Sequence, residues 1–213
     1  MPESRPKIIA FLRKRLLILF RLSYGVRIFY IRCRLEFPYI LNTRKLLGEG
    51  AEVGVWKGEF SEYILSKWKG KKLYSIDPWM SFTDNSYKDG MNIEQLEFDK
   101  IFSQVQELLK PYGLHSEMIR KTSLQAAALF NDNQLDFVYI DAQHHCEAVK
   151  DDIEAWFPKV KTGGILAGHD YLDGIIGNSE FGVKTAVDEF VKKNSLRVII
   201  GDKDDYKSWF IFK

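Results

Sequence analysis

The sequence predicts a doubly wound α/β domain, with a seven-stranded, mostly parallel sheet closed by a C-terminal antiparallel hairpin and preceded by a basic helical arm. Three observations predict it. From residue 50 onward, short apolar segments alternate with segments of helical period. The first apolar segment runs into a glycine turn, Gly54-Val55-Trp56-Lys57-Gly58, and the second ends on Asp77, 19 residues beyond Gly58. That is the reach of a βαβ unit presenting an acid to a ribose diol. Acids and histidines then recur where the later strands should end.

Residues 1–47 read as the basic amphipathic arm and residues 48–213 as the domain. The net charge of +2 hides a division: residues 1–35 hold nine Lys or Arg and a single acid, Glu3, so the remainder is mildly acidic. Arginines interrupt the apolar residues of the arm, and its longest apolar run, Leu16 to Phe20, is too short to span a bilayer. A secretory signal would need a longer apolar core and a small-residue cleavage site. The arm has three uses open to it: docking on its own domain or on a second copy as a homo-oligomer, lying on an anionic membrane through residues 5–34, and contacting nucleic acid. No nucleic-acid motif is present and the body is acidic, so a nucleic-acid partner is not expected. Cys33 and Cys146 lack metal-ligand spacing and suit a reducing, cytoplasmic compartment, peripheral to a membrane if the arm binds lipid.

Along the domain, Ala51–Val55 is the first expected strand and Glu59–Trp68 a helix with Phe60, Tyr63, Ile64 and Trp68 on one face. Leu73–Asp77 is the second strand. The loop from Pro78 to Gly90 is long and aromatic (Trp79, Phe82, Tyr87), as lids are. Asn92 and Gln95 form a capping-box pattern for a helix to about Lys110. Ser116–Arg120 is a third strand, and Ser123 is an N-cap for Leu124–Phe130. Asp136–Ile140 is an apolar strand stopping at Asp141, followed by a helix from His145 to Val160. Gly163-Gly164 turns into strand Ile165–Ala167, which ends at His169-Asp170. A Gly-rich loop, Asp173 to Gly182, leads to helix Val183–Lys193, and Leu196–Ile200 with Ser208–Phe212 make the final hairpin.

The glycine spacing narrows the ligand. A dinucleotide loop needs Gly-x-Gly-x-x-Gly so that backbone can close on a pyrophosphate. Here the pattern is Glu52-x-Gly54-x-x-x-Gly58, with bulky Trp56 at the middle glycine's place, and no Gly-Lys-Ser/Thr follows. The loop therefore suits a nucleoside-bearing ligand whose tail carries no phosphate. In open α/β sheets ligands bind beyond the carboxyl ends of the strands. Asp77, Thr122, Ser123, Asp141, His144, His145, His169 and Asp170 all fall there, and of four histidines only His115 does not.

Over residues 48 to 213 the chain resembles the Rossmann-like class I S-adenosylmethionine-dependent methyltransferases. The resemblance is carried by Asp136-Phe-Val-Tyr-Ile-Asp141 through His144, by Asp151-Asp152-Ile-Glu-Ala-Trp156, and by Gly163-Gly-Ile-Leu-Ala-Gly-His-Asp170-Tyr171. It implies S-adenosyl-L-methionine as cofactor, held by the Gly54–Gly58 loop, with Glu52 beneath the loop, Asp77 on both ribose hydroxyls, Thr122 or Ser123 near adenine, and Asp141 near the sulfonium. It also implies methylation of a small-molecule hydroxyl, on a sugar or natural product, with His144 as the base. Metal-dependent relatives hold Mg²⁺ on carboxylates matching Asp141 and Asp170. His169 departs from that pattern, and three roles stay open for it: ligand to a softer divalent cation, second base, or hydrogen-bond partner of the acceptor. Competing readings are an NAD-dependent oxidoreductase, opposed by the glycine spacing, and a non-catalytic membrane-associated member of the fold. Asp151 and Asp152 read as a solvated helix face.

Overall fold

A computed structural model describes residues 31–82 and 92–213. Most of the arm, including the expected membrane or oligomer contact, and the loop through Tyr87 lie outside the described residues.

The body is a three-layer α/β sandwich. Its strands are β1 (Glu49–Val53), β2 (Lys72–Ile76), β3 (Ser116–Ile119), β4 (Leu135–Ile140), β5 (Val160–Gly168), β6 (Asp173–Ile176), β7 (Ser179–Gly182), β8 (Val198–Ile200) and β9 (Trp209–Phe212). Seven of them form one sheet in the order β3-β2-β1-β4-β5-β9-β8, and β6 pairs with β7 apart from it. β1 to β5 pair in parallel, and β9 is inserted antiparallel between β5 and β8. The helices are α1 (Phe37–Thr43), α2 (Glu59–Lys67), α3 (Gln95–Leu109), α4 (Ser123–Ala127), α5 (Cys146–Trp156) and α6 (Val183–Lys193).

β4 is buried at every position, as a central parallel strand covered on both faces must be. Its side chains alternate. Phe137 and Tyr139 enter one apolar layer with Phe37, Phe60 and Phe210, and Val138 and Ile140 enter the other with Trp156, Val187 and Trp209. Close strand packing at β1 requires Gly50: a Cβ there would lie 2.1 Å from the Phe137 ring. The chain order reverses between β1 and β4. Both neighbouring crossovers leave from that point, so their carboxyl ends open a crevice.

Several expected elements differ. Residues 31–47 are not part of a separate arm: α1 packs into the core, with Phe37 fully buried against Phe137 (5.2 Å, edge-on), Tyr139 and Phe210. Apolar contact with the sheet outweighs the basic character that marked this segment in the sequence. β5 starts at Val160 and runs through Gly163-Gly164, so these glycines lie inside a strand. The loop Asp173–Gly182 is a hairpin turning at Gly177-Asn178, with Ile176 paired to Ser179. Asn92 and Gln95 do not cap α3. They hold the segment after β2 instead: Asn92 Oδ1 accepts from Phe82 N, and Gln95 Oε1 accepts from Ser81 N. Thr122, not Ser123, caps α4, in a reciprocal box with Gln125. Trp79 is core, not lid: it is fully buried on Phe102, and its Nε1 donates to Trp56 O.

Phe37→Ala should destabilise the protein by about 3–5 kcal/mol, the range for emptying a buried aromatic site. Urea unfolding measures this, and an unchanged midpoint would separate residues 31–47 from the folded body.

Candidate active site

The crevice at the carboxyl ends of β1 and β4 is a cavity of about 880 Å³. At its floor is Glu52, the alternate residue of β1 that turns from the sheet into the loop. It is 2% exposed and accepts a hydrogen bond from Ser61 Oγ, which lies 2.6 Å from Ser75 Oγ. Burial raises the Glu52 carboxyl from 4.5 to about 8, against the Ser61 hydrogen bond.

Gly54 (φ +89°) sits where the end of β1 passes that of β4: a Cβ would lie 1.9 Å from Asp141 O. Only glycine fits this crossing, and the loop main chain is thereby laid along the cavity wall. Gly58 plays another part. It also adopts positive φ (+82°), but it starts α2 and faces Val105 of α3, away from the cavity. Glycine spacing alone puts Gly58 on the ligand; the packing turns it to α3.

Asp77 binds the loop. Its Oδ2 accepts from Val55 N and Trp56 N, both at 3.0 Å, and its Oδ1 from Trp79 N at 2.8 Å. A carboxylate offers about four lone-pair sites. Three are taken by main chain, so one remains for a ribose hydroxyl, and accepting both hydroxyls requires releasing a main-chain bond. Burial raises the Asp77 carboxyl, opposed by these N–H donors.

Thr122 and Ser123 line the same cavity beside Leu124 and Ala148. Ser123 Oγ accepts from Trp156 Nε1 at 2.9 Å and contacts Asp152. Asp152 is the residue the sequence misjudged: it is 5% exposed, lines the cavity and is raised by burial to about 7, whereas Asp151 is exposed. Its spacing on α5, three residues after buried Val149 and four before buried Trp156, puts it on the apolar face and was the available signal.

Three side chains meet on the opposite wall. His144 Nε2 lies 3.0 Å from Asp170 Oδ2 and 3.9 Å from Asp141 Oδ1. Ligand atoms of Asp141, His144 and Asp170 all fall within 4.8 Å of one another. His169, for which metal ligand was one of three open roles, stands beside this group: its Nδ1 is 3.1 Å from Asp170 Oδ1, and its carbonyl accepts from Trp209 Nε1. Burial would raise the Asp170 carboxyl, but the contacts from His144 and His169 outweigh it and hold it well below the carboxylate range. Asp170 takes φ +54° and Trp56 φ +52°, conformations uncommon for such residues and frequent at working sites. The β6–β7 hairpin covers this wall. Phe181 stacks on the His144 ring (4.7 Å, 19°), and Gly182 N donates to His144 O. Neither Phe181 nor the cavity residue Arg34 was legible as part of a site, because both reach it from segments distant in sequence.

His145 is not at the site: it caps α5, its Nδ1 accepting from Ala148 N at 3.4 Å. Cys33 and Cys146 are unpaired thiols. Among the described residues, no helix is long and apolar enough to cross a membrane.

The strand order, the inserted antiparallel β9 and the rim crevice define the class I S-adenosylmethionine-dependent methyltransferase fold. Residues 51–171 match the model of a family described as a methyltransferase domain, and the chain belongs to that family. Among solved structures, an O-methyltransferase from Bacillus cereus in complex with SAH superposes with a TM-score of 0.58 at 11% identity, covering 100% of this chain and 93% of that one. A methyltransferase from Geobacter sulfurreducens superposes with 0.56 at 14% identity, over 100% and 93%. A candidate caffeoyl-CoA O-methyltransferase from Staphylococcus aureus gives 0.61 at 16%, over 99% and 100%. At such identities the likeness is one of fold. The uncharacterized protein y4gI of Sinorhizobium fredii is 21% identical over 132 residues, which are 62% of this chain and 14% of that protein. The chain thus spans about 14% of the length of that curated relative.

Glu52 carries a testable consequence. Its folded-state pKa lies above its ordinary value, so the folded state holds the proton more tightly. Its contribution is complete below pH 4.5 and is lost as pH rises towards about 8. Asp152 acts with the same sign up to about 7. The melting temperature of ligand-free protein should therefore fall between pH 5 and pH 8. Glu52→Gln, which keeps an acceptor for Ser61, should flatten that fall, and an unaltered pH slope would contradict the burial argument.

Proposed function

We propose that the protein transfers the methyl group of S-adenosylmethionine to a hydroxyl oxygen of a small molecule such as a sugar or natural-product alcohol. The observation that supports this reading best is convergence: Glu52, the Gly54 loop, Asp77 and the Asp141–His144–Asp170 group, drawn from the ends of four strands, line one cavity. The donor set fits the cofactor. The cavity wall along the Gly54 loop suits its amino-acid end, Glu52 its ammonium, Asp77 a ribose hydroxyl, and the Leu124–Ala148 wall its adenine. The loop has no cradle for a pyrophosphate, which disfavours a dinucleotide.

When bound, S-adenosylmethionine supplies an electrophilic methyl carbon. The chain's own task is to align an acceptor oxygen with it and remove the hydroxyl proton. Alignment contributes on the order of 7–11 kcal/mol and a general base about 10²–10⁴-fold. His144 receives the proton. The imidazolium so formed donates to Asp170 Oδ2, 3.0 Å away, with Asp141 adding a second negative charge at 3.9 Å. Phe181 holds the ring plane by stacking.

A second reading is favoured by the same three side chains. Two carboxylates and an imidazole suit a divalent transition metal such as Mn²⁺ or Fe²⁺ better than Mg²⁺, which prefers an all-oxygen shell. Such a cation, held by Asp141, His144 and Asp170, would lower the pKa of the acceptor hydroxyl. The two readings exclude each other, because a neutral imidazole has one lone pair and a bound metal occupies it.

Calorimetric titration should give binding of S-adenosylhomocysteine and none of NADH, and Asp77→Ala should weaken the former by about tenfold or more. No heat and no thermal shift at millimolar S-adenosylhomocysteine would overturn the assignment. With an acceptor that the wild type methylates, His144→Ala should leave S-adenosylhomocysteine affinity in place and slow turnover by about 10²–10⁴-fold. Activity that survives EDTA supports the base, whereas loss with EDTA and recovery with Mn²⁺ supports the cation.

A further inference from the structure

Arg34 lies outside the segment that matches the family, yet its side chain lines the cavity. Its main chain is fixed. Arg34 N donates to Asp204 Oδ2 at 2.8 Å, the same oxygen accepts from Ser208 Oγ at 2.8 Å, and Lys203 N donates to Arg32 O at 2.8 Å. Arg32 pairs with Glu36 across this turn. The segment before α1 is thus tied to the turn between β8 and β9, on the rim of the crevice.

The guanidinium is held differently. It lies 5.3 Å from the centroid of the Phe60 ring, and its Nη1 is 3.7 Å from Asp141 Oδ2, beyond hydrogen-bond length. Among the described residues none accepts a hydrogen bond from it. A guanidinium carries five N–H donors in a planar fork whose natural partner is a carboxylate. Here that fork stands on an aromatic platform, and its neighbour Asp141 is in turn 3.9 Å from His144.

We propose that Arg34 is a carboxylate-binding residue of this cavity, aimed at an acid group on a bound small molecule. The proposal rests on the methyl-transfer reading for its choice of sources, of which there are two. One is the amino-acid end of the cofactor. The other is an acceptor that is itself a hydroxy acid, whose hydroxyl Arg34 would bring beside Asp141 and His144. Two acids flank the place, Glu52 and Asp141.

Two arms separate the sources, each measured by calorimetry on the full chain as wild type, Arg34→Met and Arg34→Lys. The first compares S-adenosylhomocysteine with 5′-methylthioadenosine, which lacks the amino-acid end. The second, at saturating S-adenosylhomocysteine, compares 4-hydroxybenzoate and D-glucuronate with their methyl esters. If the cofactor is the source, Arg34→Met weakens S-adenosylhomocysteine by about tenfold to a hundredfold and leaves 5′-methylthioadenosine unchanged. If the acceptor is the source, S-adenosylhomocysteine is unaffected, and a wild-type preference for acid over ester of about tenfold or more disappears. Arg34→Lys should recover part of either effect, since it restores the charge without the fork. Equal affinities for wild type and Arg34→Met throughout overturn the proposal, as does equal weakening of both nucleosides, which marks a merely structural role. If the wild type binds neither nucleoside, the methyl-transfer reading fails, and the acid–ester arm, run without S-adenosylhomocysteine, then decides for or against Arg34 by itself.

Discussion

The site depends on one half-buried carboxylate. Asp77 gathers three main-chain N–H groups, two from the loop after β1 and one from the turn after β2. Without an acceptor there, these donors would be buried unpaired, at about 1–3 kcal/mol each. With it, two loops that belong to different strands are locked to each other, and Trp56 is held in a left-handed conformation its side chain does not favour. Trp79 completes the lock from beneath by donating to Trp56 O. The cavity floor is therefore rigid before any ligand arrives, which is what pre-organisation requires.

Around that floor the electrostatics are divided. Glu52 on β1 and Asp152 on α5 are buried and hold their protons towards the neutral range. On the β4–β5 side, Asp170 sits between two imidazoles and is ionised at all ordinary pH. Carboxyls held protonated towards neutral pH and one held ionised thus share a single cavity. The β6–β7 hairpin covers the wall that holds Asp170, and its Phe181 stacks on the His144 ring.

Much of this was legible in the sequence for local reasons. The apolar β4 stopping at Asp141, the Gly54 turn and the acid ending β2 are short-range patterns, and each fell within a residue or two of its observed place. Other features had local signals that other patterns obscured. Gly177-Asn178 is a two-residue hairpin turn, but the flanking strands are exposed and lack alternation, so the segment resembled a loop. Thr122-x-x-Gln125 is a capping box that neighbouring Ser123 masked.

By itself the sequence determined the order of strands and helices and which residues would stand on the carboxyl rim, because hydrophobic period and strand ends are properties of a few consecutive residues. Only tertiary structure decided which of those residues face one another. Gly58 turns to α3, His169 stands behind Asp170, Asp152 enters the cavity, and Arg34 arrives from a segment that seemed to belong to the arm. Each of these depends on the register of strands and helices far apart in the chain, and no local pattern encodes a distance between them.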